Sequence, residues 1–125
     1  MIRRTVCVFL FAAAVMMAGD WTGKWSGTME TVKGGPGAPP VDDHFLVLKQ
    51  EGASVTGTAG PRATAQWEIQ NVRAEGDKLT FDSMPPGGVF VLGYELTLKD
   101  GVITGRVASK KGPPMEGNLT FKRGN

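Results

Sequence analysis

The chain is poor in cysteine and histidine, with one of each among its 125 residues. Cys7 falls in an N-terminal segment that has the features of an export signal, so the remaining chain has no thiol. The single histidine, His44, excludes zinc sites built from several histidines, because a metal needs about three convergent protein ligands. We therefore expect no disulfide, no metal and no cofactor, and the domain must be held together by its core.

An excess of charge of one sign is also lacking. The chain has 14 Lys and Arg against 12 Asp and Glu. Arg3 and Arg4 lie in the N-terminal segment, so the two signs are equal in number and interspersed beyond it. Binding to nucleic acid requires a basic face. We predict no nucleic-acid partner.

Long apolar runs are absent after residue 19. Before it, residues 5–17 are apolar, follow Arg3 and Arg4, and lead into the small residues Ala18 and Gly19. This pattern is typical of a secretory signal peptide, with cleavage after Ala18 or Gly19. The run is short for a membrane span, and no later stretch approaches the roughly 20 residues that a spanning helix needs.

Two segments with different roles follow from this pattern. We predict a signal-peptide helix over residues 1–19 and a single domain over residues 20–125. The expected location is secreted or periplasmic, with bacterial export as the route and no membrane span after signal removal. A retained N-terminal anchor helix is the alternative.

The domain itself alternates apolar and polar residues with a period of two, the pattern of strands with one buried face. The alternation is clearest over residues 21–30 and 115–122, and no window beyond the N-terminal segment shows a helical period. Eight strands are predicted, at residues 21–31, 44–50, 54–59, 65–73, 78–83, 89–99, 102–109 and 115–122.

A weak internal repeat helps to fix which face of each strand is buried. Residues 46–57 resemble residues 96–105, and this alignment puts His44 in the place of Tyr94. Two copies of a four-strand unit favour an all-β, eight-stranded antiparallel up-and-down barrel, with a β-sandwich as the alternative. The predicted interior is Trp21, Trp25, Met29, Leu46, Leu48, Val55, Trp67, Ile69, Leu79, Phe81, Phe90, Leu92, Tyr94, Leu96, Leu98, Ile103, Val107, Met115, Leu119 and Phe121.

All eight prolines fall in alternate connections between the predicted strands. In an up-and-down barrel, alternate connections emerge at the same end. We therefore expect one end with tight turns near residues 51–54, 75–78 and 99–101, and an opposite end ringed by longer, stiffened loops. The prolines are Pro36, Pro39, Pro40, Pro61, Pro85, Pro86, Pro113 and Pro114.

The start of the domain resembles the first strand of calycin barrels, in the segment Asp20-Trp21-Thr22-Gly23-Lys24-Trp25. Lipocalins carry a Gly-x-Trp there, and avidins open with Thr-Gly-x-Trp. The resemblance implies an up-and-down barrel whose Trp closes the base and whose opposite end admits a ligand. The later lipocalin motifs and the avidin biotin-site residues have no counterpart here, so the resemblance implies a fold and no particular ligand.

Residues suited to catalysis are few. Asp42, Asp43 and His44 form the only cluster, and neighbouring strand residues face opposite sides, so Asp43 and His44 cannot both point inward. Glu30 and Asp82 are predicted to face outward, as is Glu68, which leaves no carboxylate pair in a pocket. We predict no catalytic residues and a protein that is not an enzyme.

The loop-bearing end is the predicted binding site, where apolar side chains would form the floor and basic side chains the rim. The predicted function is binding of a small amphipathic or apolar ligand there. The alternatives are an extracytoplasmic protein-interaction or enzyme-inhibitor module, and a plugged barrel whose prolines only stiffen the loops. The candidate ligand-binding residues are Met29, His44, Trp67, Phe90, Tyr94, Met115, Arg62 and Lys110.

Overall fold

The computed structural model describes residues 20–34 and 41–124, and every regular element in them is a β-strand. The predicted signal-peptide helix and the prolines of residues 35–40 lie outside the described residues. Within the described residues there is no helix long and apolar enough to cross a membrane. The strands are β1 (Gly23–Gly34), β2 (Val41–Glu51), β3 (Ser54–Arg62), β4 (Ala65–Glu75), β5 (Lys78–Ser83), β6 (Val91–Lys99), β7 (Val102–Lys111) and β8 (Met115–Arg123).

The strands form a closed barrel in chain order, in which each strand is antiparallel to its neighbours. The first and last strands pair directly, with Gly27 opposite Phe121 and Trp25 opposite Arg123. This pairing leaves no open sheet edge. The predicted up-and-down barrel is therefore confirmed, and the sandwich alternative is not adopted.

One end of the barrel is closed by tight two-residue turns, as the sequence predicts. The turn between β6 and β7 has positive φ at both Asp100 (53°) and Gly101 (76°), which fits a type I′ hairpin turn. The β2–β3 and β4–β5 turns place Gly52 and Gly76 at positive φ of 63° and 61°. Glycine adopts this conformation without the steric cost that a Cβ would bring.

The structure corrects one predicted loop at the other end. The sequence places Pro61 in a longer connection, but β3 continues to Arg62 and turns through residues 63–64 into β4. Proline has no N–H to donate, and the pairing of β3 with β4 shifts register between Ala59 and Arg62. Pro61 therefore lies in an irregular stretch of strand. The β5–β6 and β7–β8 connections, at residues 84–90 and 112–114, are longer than the tight turns.

The core fills the barrel from the tight-turn end to its middle. At the base, Trp25 Nε1 donates a hydrogen bond of 2.9 Å to the carbonyl oxygen of Trp21. The Arg123 guanidinium lies 4.4 Å from the centroid of the Trp25 ring, a cation–π contact. The buried apolar residues are Trp21, Trp25, Leu46, Leu48, Val55, Ala59, Ile69, Leu79, Phe81, Tyr94, Leu96, Leu98, Ile103, Val107, Leu119 and Phe121.

The predicted interior divides into two groups in the structure. The alternation of apolar and polar residues predicts every buried apolar residue of the core except Ala59. The other predicted interior residues are only partly buried, and they all lie toward the end opposite the tight turns. These half-buried residues are Met29, Trp67, Phe90, Leu92 and Met115.

Candidate functional site

The half-buried apolar residues surround a cavity that opens at the end opposite the tight turns. Its volume is about 450 Å³, which falls within the range of small-molecule pockets, roughly 300–1,000 Å³. The barrel is therefore packed at one end and hollow at the other. The cavity is lined by Met29, Gly34, His44, Gly60, Pro61, Trp67, Ser83, Pro85, Phe90, Leu92, Tyr94, Pro113, Pro114 and Met115.

Prolines from the end of β3 and from two connections meet around this cavity. Because the strands alternate in direction, β3, β5 and β7 all end at the open side of the barrel. Pro61, Pro85, Pro113 and Pro114 consequently line one cavity. Their fixed φ reduces the number of conformations open to these segments, which favours a preformed wall.

A hydrogen-bonded pair lies at the inner end of the cavity. His44 Nε2 and the Tyr94 hydroxyl share a hydrogen bond of 2.7 Å, and the two side chains are 5% and 2% exposed. Behind them, the Tyr94 ring stacks on Phe81 with a centroid separation of 4.7 Å. The His44 ring lies 6.0 Å from that of Phe121. Packing against the core fixes both members of the pair.

Burial keeps this pair uncharged. Desolvation lowers the pKa of His44 to about 4, against a weaker opposing attraction from Asp42. Burial also raises the pKa of the Tyr94 hydroxyl well above its ordinary value. At neutral pH the inner end of the cavity therefore offers neutral hydrogen-bonding groups. His44 Nδ1 is buried and has no hydrogen-bond partner among the described residues.

The structure brings together six of the eight side chains that the sequence proposes for the site. The six come from five different strands and one connection, and they meet only because the barrel closes. Phe90 precedes β6, and Tyr94 lies within that strand. The six that line the cavity are Met29, His44, Trp67, Phe90, Tyr94 and Met115.

The two basic candidates, Arg62 and Lys110, do not line the cavity. Arg62 is exposed and borders a separate surface depression with Asp42 and Asp43. Lys110 extends over the outer face of the barrel, where its Nζ donates a hydrogen bond of 3.0 Å to Asp82 Oδ1. Both side chains belong to surfaces other than the cavity wall.

Asp82 belongs to a cluster with Asn71 and Lys110 on the outer face of the barrel. This residue does face outward, but its side chain is covered by neighbours and only 8% of the residue is exposed. Burial alone would raise the pKa of Asp82, but hydrogen bonds from Asn71 and Lys110 and the charge of Lys110 hold it below its ordinary value. Asn71 Nδ2 donates to Asp82 Oδ2 over 2.8 Å.

Ser83 and Leu92 are cavity residues that the sequence-based list of candidates omits. Leu92 is predicted as interior but not as part of the site. Ser83 is 1% exposed and lines the cavity. The alternation that turns Phe81 inward also turns Ser83 inward, so the signal is present in the sequence.

Asp43 and His44 lie on opposite faces of β2, as strand alternation predicts. Asp42 and Asp43 are exposed, whereas His44 is buried. Within the described part of the chain, no three side chains of His, Asp or Glu come together in an arrangement that would hold a metal ion.

The strand order and closure are those implied by the first-strand resemblance, with Trp25 sealing the base and a cavity at the opposite end. The fold is calycin-like. No family model matches the chain, and neither does any curated protein. Among solved structures, an abundant heat soluble (SAHS) protein from Ramazzottius varieornatus is similar, with 11% identity and a TM-score of 0.49. The match covers 83% of this chain and 95% of that one, and carries no inference about function.

Proposed function

We propose that this protein is a non-enzymatic barrel that binds a small, predominantly apolar molecule in the cavity at its proline-lined end. The observation that carries the proposal is an open cavity of about 450 Å³ whose walls are largely aromatic, aliphatic, methionine and proline side chains. Soluble proteins gain no stability by leaving such surface unfilled, because its lining loses van der Waals partners. Small-molecule sites have this combination of apolar walls and a few polar groups.

The lining also supplies a mechanism for affinity. Burying apolar surface of a ligand contributes about 25 cal/mol per Å². Trp67 and Phe90 offer large flat surfaces, while Met29 and Met115 adapt to irregular shapes because their side chains are unbranched. A wall held in place by the barrel reduces the ordering cost of binding.

Titration with an uncharged fluorescent dye, N-phenyl-1-naphthylamine, tests the proposal. We expect a saturable rise in dye emission at one site per barrel. Leu92→Trp would fill the cavity and weaken dye binding at least tenfold, while Thr120→Trp on the exposed face of β8 is the matched control. Equal binding by the two variants would contradict the proposal.

We also propose that residues 1–19 direct export and are then removed. The support is the basic start, the apolar run and the small residues that follow. The barrel would then act outside the cytoplasm, in the periplasm or the surrounding medium.

A protein partner is the second candidate function, and the distribution of exposed apolar side chains favours it. Of the exposed large apolar residues, Val32, Val41, Met84 and Val89 all lie at the open end, and Val47 is the exception. Exposed apolar patches are often interaction sites. If the open end binds a protein, Met84→Ser with Val89→Ser would abolish binding to that protein and leave dye uptake unchanged. Loss of both activities would instead indicate general damage to the open end.

A further inference from the structure

The cavity has no charged group in its wall among the described residues. Its polar side chains are His44, Ser83 and Tyr94, and its other side chains are apolar. Of these three, only His44 could become a cation near neutral pH. Its burial opposes that charge, and its Nε2 is already engaged by the Tyr94 hydroxyl. A ligand that enters the cavity therefore meets no charged side chain in its wall, since Asp42, whose charge acts on His44, is exposed and lies outside the lining.

None of the cations near the open end lines the cavity, and this includes Lys33 at the end of β1 and Lys111 at the end of β7. Lys110 is drawn to Asp82 on the outside of the barrel at 3.0 Å. Arg62 borders a depression that also contains Asp42 and Asp43. Neither side chain lines the cavity, and both lie beside carboxylates that an anionic ligand would have to approach.

Moving a charged group into such a site costs free energy whether the charge is negative or positive. An ionised carboxylate or ammonium loses its hydration on burial and must find a partner of opposite charge, or it is excluded. A hydroxyl or carbonyl group loses much less, and the hydroxyls of Ser83 and Tyr94 can hydrogen-bond with it. The site thus separates ligands by charge more than by shape.

We propose that the cavity selects uncharged, predominantly apolar molecules, such as long-chain alcohols or ketones, and rejects carboxylates and amines of the same chain length. This inference depends on the proposed function, because it assigns a ligand class to the same cavity. It differs from the sequence-based expectation of a basic rim, which would suit an anionic amphiphile.

Displacement of N-phenyl-1-naphthylamine by three probes of one chain length tests the selection. The probes are 1-decanol, decanoate and decylamine at pH 7.5, with the protein as it is purified after export. We expect 1-decanol to displace the dye at a concentration at least tenfold lower than either charged probe. Decanoate or decylamine displacing the dye as well as 1-decanol would overturn the inference and leave the proposed function intact. Dye binding that is absent, or insensitive to all three probes, would overturn both.

A charge placed in the wall provides a second test. Met115 is half-buried at the start of β8, where a longer polar side chain can be accommodated near the opening. Met115→Lys is expected to raise decanoate affinity at least tenfold relative to Met115→Gln, with 1-decanol affinity within a few fold in the two variants. If Met115→Lys and Met115→Gln bind decanoate equally, charge does not govern selection in this cavity, and the inference is wrong.

Discussion

His44 shows how the environment of one side chain sets both its chemistry and its contribution to stability. Its ring is enclosed by Tyr94 and Phe121, and Asp42 is the charged group that acts on it most. The neutral form is favoured in the folded barrel, whereas the unfolded chain exposes an imidazole with a pKa near 6.5. The folded state therefore binds a proton less readily than the unfolded state.

This difference predicts a loss of stability in acid. Because the pKa of His44 is about 4 in the folded barrel and its ordinary value is 6.5, the contribution of the neutral ring to stability is complete above pH 6.5 and falls as the pH drops toward 4. A shift of this size corresponds to about 3 kcal/mol. Urea unfolding at several pH values between 7.5 and 4 should show this loss in the native protein but not in His44→Phe. Parallel pH profiles for the two proteins would contradict it.

Asp82 differs from His44, because its hydrogen-bond partners keep it charged although it is buried. Asp82→Ala is expected to cost about 2 kcal/mol of unfolding free energy, because Asn71 and Lys110 lose a charged acceptor. Glu95→Ala, an exposed position on the neighbouring strand, is the control and should cost less than about 0.5 kcal/mol. Denaturant unfolding measures both values. Neither variant should alter dye binding, since the cluster lies outside the cavity.

At the scale of the element, the pairing of β1 with β8 depends on the absence of a side chain at Gly27. A Cβ there would lie 1.7 Å from the carbonyl oxygen of Thr120 and 2.7 Å from Cα of Phe121. Both are backbone atoms, so relief requires the two strands to move apart. Gly27 also pairs with His44 on its other side, so the same shift would reach the inner end of the cavity.

Gly27→Ala is therefore expected to destabilise the barrel by about 3 kcal/mol or more. Gly52→Ala is the matched control, because its Cβ would meet nothing within 4 Å and its cost comes only from the positive φ of 63°. That cost is about 1 kcal/mol. Thermal and urea unfolding of the two variants measure the two losses of stability. Similar losses would show that the close approach of β1 and β8 at Gly27 does not determine the stability of the barrel.

Much of the element arrangement is predictable from the sequence because alternation reports which face of a strand is buried. The repeat correctly turned Leu46 and Leu48 inward within a continuously apolar stretch. The path of β3 through Pro61 was not predictable, since proline usually marks a loop and here occupies a register shift. The burial of Asp82 depends on Asn71, which has a positive φ of 54° and lies where the pairing of β4 with β5 shifts register. The alternation of apolar and polar residues does not predict this irregularity.

At the scale of the whole molecule, the sequence indicates which end of the barrel holds the cavity but not how large that cavity is. The alternation predicts that four side chains point inward, and the alternating strand directions place all of them toward one end of the barrel. They are Met29, Trp67, Phe90 and Met115. Whether such side chains meet across the barrel or leave a cavity depends on strand separation, which alternation does not encode. The same limit explains Lys110, whose position follows from a partner on a different strand.

Export is a prediction about the chain that carries residues 1–19. When it is expressed with residues 1–19 in a bacterial host, the exported protein should begin at Gly19 or Asp20, as intact mass measurement would show. Leu10→Arg places a charge in the apolar run and should keep the protein in the cytoplasm, whereas Leu10→Ile should not. Exported protein that retains residues 1–19 would favour the anchor alternative.

The division of the barrel into a packed half and an open half has a practical consequence. Residues 84–90 and 112–114 border the opening, while the buried core lies toward the tight turns. If the cavity binds a ligand as proposed, new sequences grafted into these connections would change which ligand is bound while the core stays intact. Since residues 20–125 contain no cysteine, the redesigned barrels would need no oxidising compartment to form disulfides, and they could be tried as genetically encoded sensors inside living cells.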